Sequence, residues 1–308
     1  VSQRFLMGRY YKEYADFLAE HFPGRKMQKL TVDAGFSCPN RDGTLSTGGC
    51  AYCNNNSFSP GSHEGRHLSP VADQLEESKI FFRRKYPSMR YLAYFQSYTN
   101  THGETSRLLD LYDEAFGCEG VDGVIIGTRP DCLPAGLVEA LACRHKAGQW
   151  IMVELGAESS HDDTLRRVNR CHSWQATVDA VSRLRDAQLP VGLHLIMGLP
   201  GENREMMMET VERAALLHPD TVKFHQLQIV AGSTLAHQWQ AGQQFELFTP
   251  ESYLPLCLDI ISTMNRLSPS TAIERFTSQA PSDLLIAPRW GLKNYQFVNL
   301  LHNLLSRC

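Results

Sequence analysis

Residues 38–53 read CPNRDGTLSTGGCAYC, a polar loop that carries three cysteines. Cys50 and Cys53 are separated by two residues, a spacing that lets successive sulfur atoms converge on one metal ion or on one face of a cluster. Eleven residues separate Cys38 from Cys50. Gly, Asn, Asp, Ser and Thr fill most of this gap, so the chain can turn tightly here. The loop is therefore predicted to wrap around an inorganic centre.

The loop holds no fourth ligand, and this separates two kinds of metal site. Structural zinc has four protein ligands in a closed tetrahedron, and the nearest candidates here are His63 and His67, ten or more residues beyond the last cysteine. Three thiolates are typical of a 4Fe–4S cluster whose fourth iron stays open to a substrate or cofactor. We predict that Cys38, Cys50 and Cys53 bind such a cluster, with a zinc site of three cysteines and one histidine as the alternative.

Composition limits the class of protein. With 308 residues, of which 43% are hydrophobic and 20% charged, the chain can bury the core of one α/β barrel. A net charge of −3 and a pI of about 6.5 are not those of a general nucleic-acid-binding protein. Nine cysteines without an export signal indicate thiols and ligands in a reducing compartment. No apolar run approaches the roughly 18 residues of a membrane span, so we expect a cytoplasmic protein without a membrane partner.

The hydrophobic pattern predicts a regular alternation of strands and helices. Such an alternation builds a parallel sheet, and six strands are typical of a partial barrel with ligands at the C-terminal strand ends. The predicted fold class is therefore α/β, a partial (βα)6 barrel of the TIM type. The predicted strands cover residues 27–34, 91–98, 123–128, 150–156, 191–197 and 222–230.

The chain divides into three predicted parts. Residues 1–25 carry aromatic residues at helical spacing and are predicted to form a lead-in helix that a Pro-Gly pair ends. Residues 26–232 form the barrel. Residues 233–308 change to helices with one short strand at 272–276. We expect this C-terminal extension to cover the barrel mouth and to take part in substrate recognition.

Three cysteines that end in Cys-x-aromatic-Cys, in a loop after the first strand of an α/β chain, resemble the cluster loop of radical S-adenosylmethionine (radical SAM) enzymes. The first gap of that motif is usually three residues, whereas here it is eleven. A longer gap is familiar from the branch that contains the elongator catalytic subunit. The stretch GFSCPNRDG at 35–43, followed by Gly48-Gly49-Cys50, is similar in particular to the YhcC/YtqA-like family.

The resemblance implies one 4Fe–4S cluster with three Cys ligands and an open iron that binds S-adenosylmethionine. One electron then cleaves this cofactor, and a 5′-deoxyadenosyl radical abstracts hydrogen from the substrate while the protein orients the reactants and excludes water. The resemblance also implies a reductant such as flavodoxin or ferredoxin as a partner. The elongator branch suggests a tRNA substrate with a wobble uridine as the target; a protein side chain and a small metabolite stay open.

The resemblance assigns two regions near the cysteine loop to S-adenosylmethionine. Tyr52, between two cluster ligands, is assigned to the adenine, with simple packing on the loop as the alternative. Gln96 and Ser97 follow the second strand, where relatives hold the amino group of the cofactor. An amide and a hydroxyl replace the Gly-Gly-Glu that is common there, and they accept the same hydrogen bonds without a negative charge.

Further cofactor positions follow the fourth and fifth strands. Glu158 matches a ribose ligand and Arg170, twelve residues later, matches a ligand of the methionyl carboxylate. Cys171 stands where close relatives often have glycine. His194 stands where some relatives carry an acidic ribose ligand, with a core histidine as the alternative. Gly198 resembles an adenine-binding glycine, which would let a purine approach the backbone.

Candidates for catalysis or substrate contact lie nearer the predicted mouth. Arg129 belongs to a Thr-Arg-Pro-Asp segment similar to one of the elongator branch; it suits a carboxylate or phosphate, with an ion pair to Asp131 or Glu154 as the alternative. Lys223 and His225 alternate onto one face of the sixth strand. Gln228 on the same strand is a further candidate. In the extension the candidates, for which a surface salt bridge or an anchoring aromatic is the alternative, are Glu274, Arg275, Arg289 and Trp290.

A function without turnover also stays open. A zinc or iron–sulfur module that serves binding or redox sensing would have the same cysteine spacing. Metal analysis discriminates between the classes, because a zinc site is colourless and closed whereas an open 4Fe–4S cluster is brown and responds to S-adenosylmethionine.

Overall fold

The computed structural model describes residues 10–57 and 69–307, and the zinc-ligand candidates His63 and His67 lie outside them. In chain order the described elements are α1 (Tyr14–His21), β1 (Met27–Val32), a 3₁₀ turn (Asn55–Ser57), α2 (Val71–Arg83), β2 (Arg90–Phe95), α3 (Thr105–Phe116), β3 (Val121–Thr128), α4 (Ala135–Lys146), β4 (Trp150–Glu158), α5 (Asp162–Arg167), α6 (Trp174–Asp186), β5 (Val191–Met197), α7 (Arg204–Leu216), β6 (Thr221–Gln226), β7 (Ile229–Val230), α8 (Thr234–Gln240), α9 (Pro250–Leu267), β8 (Ala272–Arg275), β9 (Leu285–Ala287) and α10 (Asn294–Leu305).

The main sheet confirms the predicted α/β partial barrel. Within the described residues it has seven parallel strands in the order β1-β2-β3-β4-β5-β6-β8. This sequential order arises because a helical crossover follows each of the first five strands and returns the chain beside it. The seventh strand, β8, comes from the segment predicted as an extension, so the sheet has one strand more than predicted. The predicted boundary at residue 232 stays a prediction.

The sheet is curled, and a side-chain contact across it demonstrates this. Lys29 in β1 and Glu274 in β8 belong to opposite edges, yet their charged groups are 2.7 Å apart. The helix α1 closes the end of the sheet where the strands begin. There the ring of Tyr14 lies 4.4 Å from Nζ of Lys29, and Phe17 packs in the same cluster.

Helices cover the outer face of the sheet. Each crossover helix contributes at least one fully buried aliphatic residue to the core, because its apolar residues recur on one face. These residues, all at 0% exposure, are Leu75, Leu108, Leu137, Leu184 and Val211. Strands such as β5, VGLHLIM, are nearly continuous apolar runs because both of their faces are covered. Of the described helices, none has both the length and the hydrophobicity that a membrane crossing needs.

The strand predicted at 222–230 is wrong in its second half. The chain leaves the sheet after Gln226, and β7 pairs in antiparallel orientation with β9, which the sequence analysis missed. Gln226 and Gln228 explain the break, because both side chains bond the backbone of residues 278 and 280 instead of continuing a ladder. The strand β9 has only three residues and precedes Pro288, so it has no alternating pattern to detect.

Candidate functional site

A cavity of about 390 Å³ opens where the parallel strands end. Thirteen residues were predicted as cluster ligands, cofactor contacts or principal catalytic candidates, and of these Ser97, Gly198 and Lys223 do not line it. The other ten do, and they are Cys38, Cys50, Tyr52, Cys53, Gln96, Arg129, Glu158, Arg170, His194 and His225. The tertiary structure therefore brings the three cysteines together with most of the predicted polar residues.

Asn40 anchors the cysteine loop on the turn that follows α5. Its Nδ2 atom donates to the backbone oxygen of Asn169 at 2.5 Å and approaches Sγ of Cys50 at 3.5 Å. In return, Nδ2 of Asn169 donates to the backbone oxygen of Gly49 at 2.9 Å. Sequence reasoning missed both asparagines. Asn40 lies within the quoted loop, but its partner is more than a hundred residues away, so no local pattern reveals the pair.

The turn after α5 has the backbone geometry that a glycine normally provides. Asn169 and Cys171 both adopt left-handed conformations, with φ of 54° and 59°. A glycine would adopt this conformation without strain at either position. Non-glycine residues in this region are strained, and such strain occurs often at functional sites. The two residues flank Arg170 and turn its side chain into the cavity.

Arg41 braces the second half of the cysteine loop. Its Nη2 atom donates to the backbone oxygen of Cys53 at 2.8 Å. Gly49 adopts φ of +79°, and a Cβ atom there would lie 2.7 Å from Nε of Arg41. A larger residue at position 49 would therefore have to displace this guanidinium. The sequence analysis did not single out Arg41.

The three thiols lie in one electrostatic environment. Burial, with Cys50 and Cys38 nearby, raises the pKa of Cys53 to about 11, although Arg41 opposes the shift. The eight described cysteines are all free. Across residues 10–57 and 69–307, no three His, Cys, Asp or Glu side chains are close enough to hold one metal ion. A metal centre that binds Cys53 has to displace its proton.

Arg170 and Glu158 form a buried pair beside the cysteines. Nη1 of Arg170 approaches Sγ of Cys50 at 3.5 Å, and Nη2 donates to the backbone oxygen of Gly156 at 2.5 Å. The Glu158 carboxylate is 3.7 Å from Nη2, while Nε of Arg170 is buried without a hydrogen-bond partner among the described residues. Burial raises the pKa of Glu158, and Arg170 opposes that shift. A Cβ atom on Gly156 would collide with both side chains at 2.6 Å.

Arg129 is almost fully buried and holds the backbone of Arg170. It forms a two-bond pair with Asp131, at 2.9 and 2.8 Å, which is one of the two ion pairs considered for it. The same guanidinium donates to the backbone oxygen of Arg170 at 2.8 Å. Its Nη1 atom is buried and lacks a partner within the described chain. Arg129 thus faces the cavity as part of a neutral pair rather than as a free cation.

Below the cavity, charged residues of four strands form a network that we call the floor network: Lys29, Glu154, Lys223 and Glu274. Glu154 accepts from Lys29 at 2.9 Å, from Lys223 at 2.6 Å and from Nε2 of His194 at 2.9 Å. Lys223 also donates to the hydroxyl of Tyr94 at 3.1 Å. Lys223 was predicted to contact the substrate; it is 3% exposed and lies beneath the cavity. Its predicted role in catalysis stays a prediction.

The floor network sets the ionisation of its members. Burial alone would raise the pKa of Glu154, but Lys223, Lys29 and His194 hold it well below its usual value. Burial lowers the pKa of Lys223 to about 8 and that of His194 to about 4. His194 is therefore a neutral imidazole near pH 7 that donates to Glu154. It bonds Glu154 and lines the cavity, and its assignment to the ribose stays a prediction.

Two predicted cofactor residues lie away from the cavity. Ser97 is 1% exposed, whereas its neighbour Gln96 lines the cavity. Gly198 adopts φ of +86°, and a Cβ atom on it would lie 3.1 Å from the ring of Phe248. Their assignments to the amino group and the adenine stay predictions.

The C-terminal candidates divide between support and cavity. Arg289 donates to backbone oxygens of residues 285 and 286, and Trp290 donates to the backbone oxygen of Phe248 at 2.7 Å. Trp290 also stacks on Phe297, so it is an anchoring aromatic. Gln228 holds residue 280 by accepting from its amide at 3.0 Å. Gln228 and Arg275 both line the cavity.

Comparison with known protein families decides the membership of this chain. Residues 43–214 match the family described as the radical SAM superfamily. The chain belongs to the radical SAM superfamily. Residues 219–307 match the radical SAM C-terminal domain. The protein is therefore a radical SAM enzyme, a membership that implies a 4Fe–4S cluster and S-adenosylmethionine as cofactors and an external reductant.

Two bacterial relatives match most of this radical SAM chain. YhcC of Escherichia coli is 38% identical over 87% of the chain and 83% of its own length. YtqA of Bacillus subtilis is 33% identical over 94% of the chain and 87% of its own length. A tRNA uridine(34) acetyltransferase of Methanocaldococcus infernus is 26% identical over 50% of the chain and 28% of its own length. The predicted YhcC/YtqA-like family, related to the elongator branch, is confirmed.

A solved structure shares the fold. The archaeal Elp3 of Methanocaldococcus infernus superposes with a TM-score of 0.65 at 17% identity, covering 92% of this chain and 63% of the Elp3 chain. This similarity shows the radical SAM partial barrel, in agreement with the seven-stranded curled sheet.

Proposed function

We propose that Cys38, Cys50 and Cys53 bind a 4Fe–4S cluster with one open iron, and that the enzyme cleaves S-adenosylmethionine to act on a tRNA base, with a wobble uridine as the favoured target. When bound, the cluster supplies the electron that cleaves the cofactor and produces a 5′-deoxyadenosyl radical. The reductant is expected to belong to the flavodoxin or ferredoxin class, and the compartment to be the cytoplasm.

The observation that carries this proposal is the surroundings of Cys50. Its sulfur receives contacts from Asn40 and from Arg170, each at 3.5 Å. Donors aimed at a sulfur stabilise a thiolate, which is the form that ligates iron. The other two thiols, Cys38 and Cys53, line the same cavity. A polar loop with three thiols and two donors on one of them fits an iron–sulfur centre.

The residues around this loop fit the polar groups of S-adenosylmethionine. The Nε atom of Arg170 is buried and free, and a guanidinium suits the methionyl carboxylate. Glu158 offers oxygens to ribose hydroxyls, while Gln96 and Tyr52 complete the wall of the cavity. Arg129 holds the backbone of Arg170 and so fixes the direction of its side chain.

The tRNA part of the proposal has separate support. The relative named tRNA uridine(34) acetyltransferase matches half of this chain. A net charge of −3 argues for a small RNA footprint, so that binding depends on a few Arg and Lys residues near the mouth. A protein side chain or a small metabolite is the alternative substrate.

The test is anaerobic reconstitution with iron and sulfide, reduction with S-adenosylmethionine present, and quantification of 5′-deoxyadenosine. Wild type and Cys143→Ala, which changes an exposed cysteine of α4, should form the product, whereas Cys50→Ala should not. A wild-type protein that holds iron and sulfide yet neither binds nor cleaves the cofactor would favour a binding or sensing module.

The substrate is tested in the same assay by adding tRNA, peptide mixtures or metabolite mixtures. We expect added tRNA to increase 5′-deoxyadenosine formation. After the reaction, a nucleoside digest of that tRNA should contain less uridine than before. Binding of tRNA should weaken steeply as salt rises. Salt-independent or absent tRNA binding would remove the RNA substrate while leaving the cleavage reaction in place.

A further inference from the structure

Arg275 is a cation of the cavity that has no counter-ion among residues 10–57 and 69–307. It lines the cavity, and its Nη2 atom lies 3.3 Å from Nδ1 of His225. The neighbouring carboxylate, Glu274, is already paired with Lys29 at 2.7 Å and with Lys223 at 3.3 Å. The Nε atom of Arg275 is buried and has no hydrogen-bond partner in the described part of the chain.

An irregularity in β8 turns Arg275 towards the cavity. Val222 pairs with Ile273 and Lys223 pairs with Arg275, so Glu274 is an extra residue in the ladder. In a regular strand, residues 274 and 275 would point to opposite faces. Because the bulge inserts one residue, Glu274 reaches the floor network and Arg275 still faces the interior. Bulges that redirect a side chain in this way are frequent beside active sites.

His225 presents a second unpartnered donor to the same cavity. Its Nδ1 atom is 3.3 Å from Nη2 of Arg275, a group that can only donate, and we therefore assign the imidazole proton to Nε2. Nε2 is buried and finds no partner among the described residues. Burial, Arg275 and His194 hold the pKa of His225 well below its usual value, so the ring is neutral. Nε2 therefore offers one N–H group.

The pairing of the other cavity arginines makes Arg275 distinct. Arg129 is paired with Asp131 at 2.8 Å and Arg170 faces Glu158 at 3.7 Å. Arg41 lies against the cysteine loop and donates to a backbone oxygen. A guanidinium that is partly buried without an anion is costly, and an unpartnered N–H of the neighbouring imidazole adds to the cost. A ligand with an anionic oxygen group relieves both costs at once.

We propose that Arg275 and His225 form an oxyanion site that binds a phosphate or carboxylate group of the substrate. The proposal rests on the proposed function in one respect, namely that the oxyanion belongs to the molecule on which the radical acts. A guanidinium fork and an imidazole N–H are donors suited to either group. The segment of residues 278–280 helps to orient the ring of His225, because Oγ of Ser278 lies 3.1 Å from Nδ1 of that ring.

The test measures oxyanion binding to the full chain before cluster reconstitution. Inorganic phosphate and acetate are titrated separately at constant ionic strength, balanced with potassium chloride, and the thermal unfolding midpoint is followed. Wild type should show a saturable increase with at least one of them. Arg275→Gln should weaken the apparent affinity by about tenfold or more, and Arg275→Lys by less, since it keeps the charge but loses the fork.

The matched control is Arg266→Gln, which removes an exposed arginine of α9 that pairs with Glu212 at 3.1 Å. It should titrate as wild type does. The unfolding midpoint without added anion shows that each variant is folded. Preference for phosphate assigns the oxyanion to a phosphate ester, and preference for acetate assigns it to a carboxylate.

Two results would overturn the proposal: a wild type without saturable stabilisation by either anion, or an Arg275→Gln protein that titrates as wild type does. The titration needs neither iron nor S-adenosylmethionine. If the anion titration fails while wild type still forms 5′-deoxyadenosine, only the proposed oxyanion site is refuted. If wild type does not form 5′-deoxyadenosine, the proposed function is refuted, while the binding of an oxyanion is still tested by the titration.

Discussion

The Nζ atom of Lys29 in β1 lies 2.7 Å from Oε2 of Glu274 in β8, so one ion pair joins the two edge strands of the sheet. Both side chains are only 14% exposed. Lys29 also contacts Glu154, and Glu274 also contacts Lys223. The curled sheet is therefore held beneath the cavity by charges and not only by its backbone ladders.

Lys29→Met should destabilise the protein by about 3–5 kcal/mol, because it leaves two buried carboxylates with one lysine between them. Adding Glu274→Met should restore part of this loss, since one cation and one carboxylate, Lys223 and Glu154, then remain. The measurement is the free energy of unfolding in urea for both single variants and the double variant. Strictly additive losses would contradict the predicted coupling.

The control for this set of single and double variants is the ion pair of Arg166 and Asp163 on α5, whose side chains are 72% and 80% exposed. Its single and double substitutions should each change the free energy of unfolding by less than about 1 kcal/mol.

Gly49→Ala should lower the iron content after reconstitution, because the added Cβ atom would lie 2.7 Å from Nε of Arg41 and displace the guanidinium that braces Cys53. Gly43→Ala is the matched control: Gly43 has φ of +88° but no heavy atom within 4 Å of an added Cβ. Both substitutions should cost about 1–2 kcal/mol of backbone strain. Only Gly49→Ala should lose iron, which colorimetric iron and sulfide assays measure; equal iron in both variants would refute the clash.

Asn40→Leu should lower the midpoint potential of the reconstituted cluster by tens of millivolts. A shift of this size is on the order of the free energy of one hydrogen bond. The reason is that Nδ2 of Asn40 points at Sγ of Cys50, and removing this donor disfavours the more negative, reduced state. A redox titration followed by electron paramagnetic resonance measures the potential. Asn303→Leu, on the exposed side of α10, serves as the control, and an unchanged potential in Asn40→Leu would argue against the contact.

His194 should make the protein less stable in mild acid. Burial lowers its pKa from 6.5 to about 4, so between these values the unfolded chain binds a proton that the folded chain does not. The free energy of unfolding therefore falls as pH falls through this window, by up to about 3 kcal/mol from this residue. His194→Gln keeps a donor for Glu154 and should lose less stability between pH 6.5 and 4 than wild type.

The control for this pH series is His237→Gln, which changes an exposed histidine of α8. It should follow the wild-type curve. If His194→Gln followed that curve as well, the acid sensitivity would have to be assigned to other groups.

The sequence by itself determined the parts of this protein that depend on short-range patterns. The spacing of Cys38, Cys50 and Cys53 is a property of one loop, and the alternation of apolar strands and amphipathic helices repeats within windows of about 10–15 residues. Residues at the C-terminal ends of the strands, such as Glu158 and Arg129, could be placed near one cavity because parallel strands end on the same side of a sheet. The cysteine loop, the fold class and ten of the residues that line the cavity were therefore accessible from the sequence.

Only the tertiary structure decided which charges are paired and which are free. The sequence analysis considered two carboxylates as ion-pair partners of Arg129, and the tertiary structure pairs it with Asp131. Lys223 alternates with His225 in the sequence, yet Glu154 and Glu274 hold it below the cavity. The physical reason is that these contacts join residues far apart in the chain and depend on strand register. One bulge in β8 is enough to direct Arg275 into the cavity beside His225, and no local pattern records it.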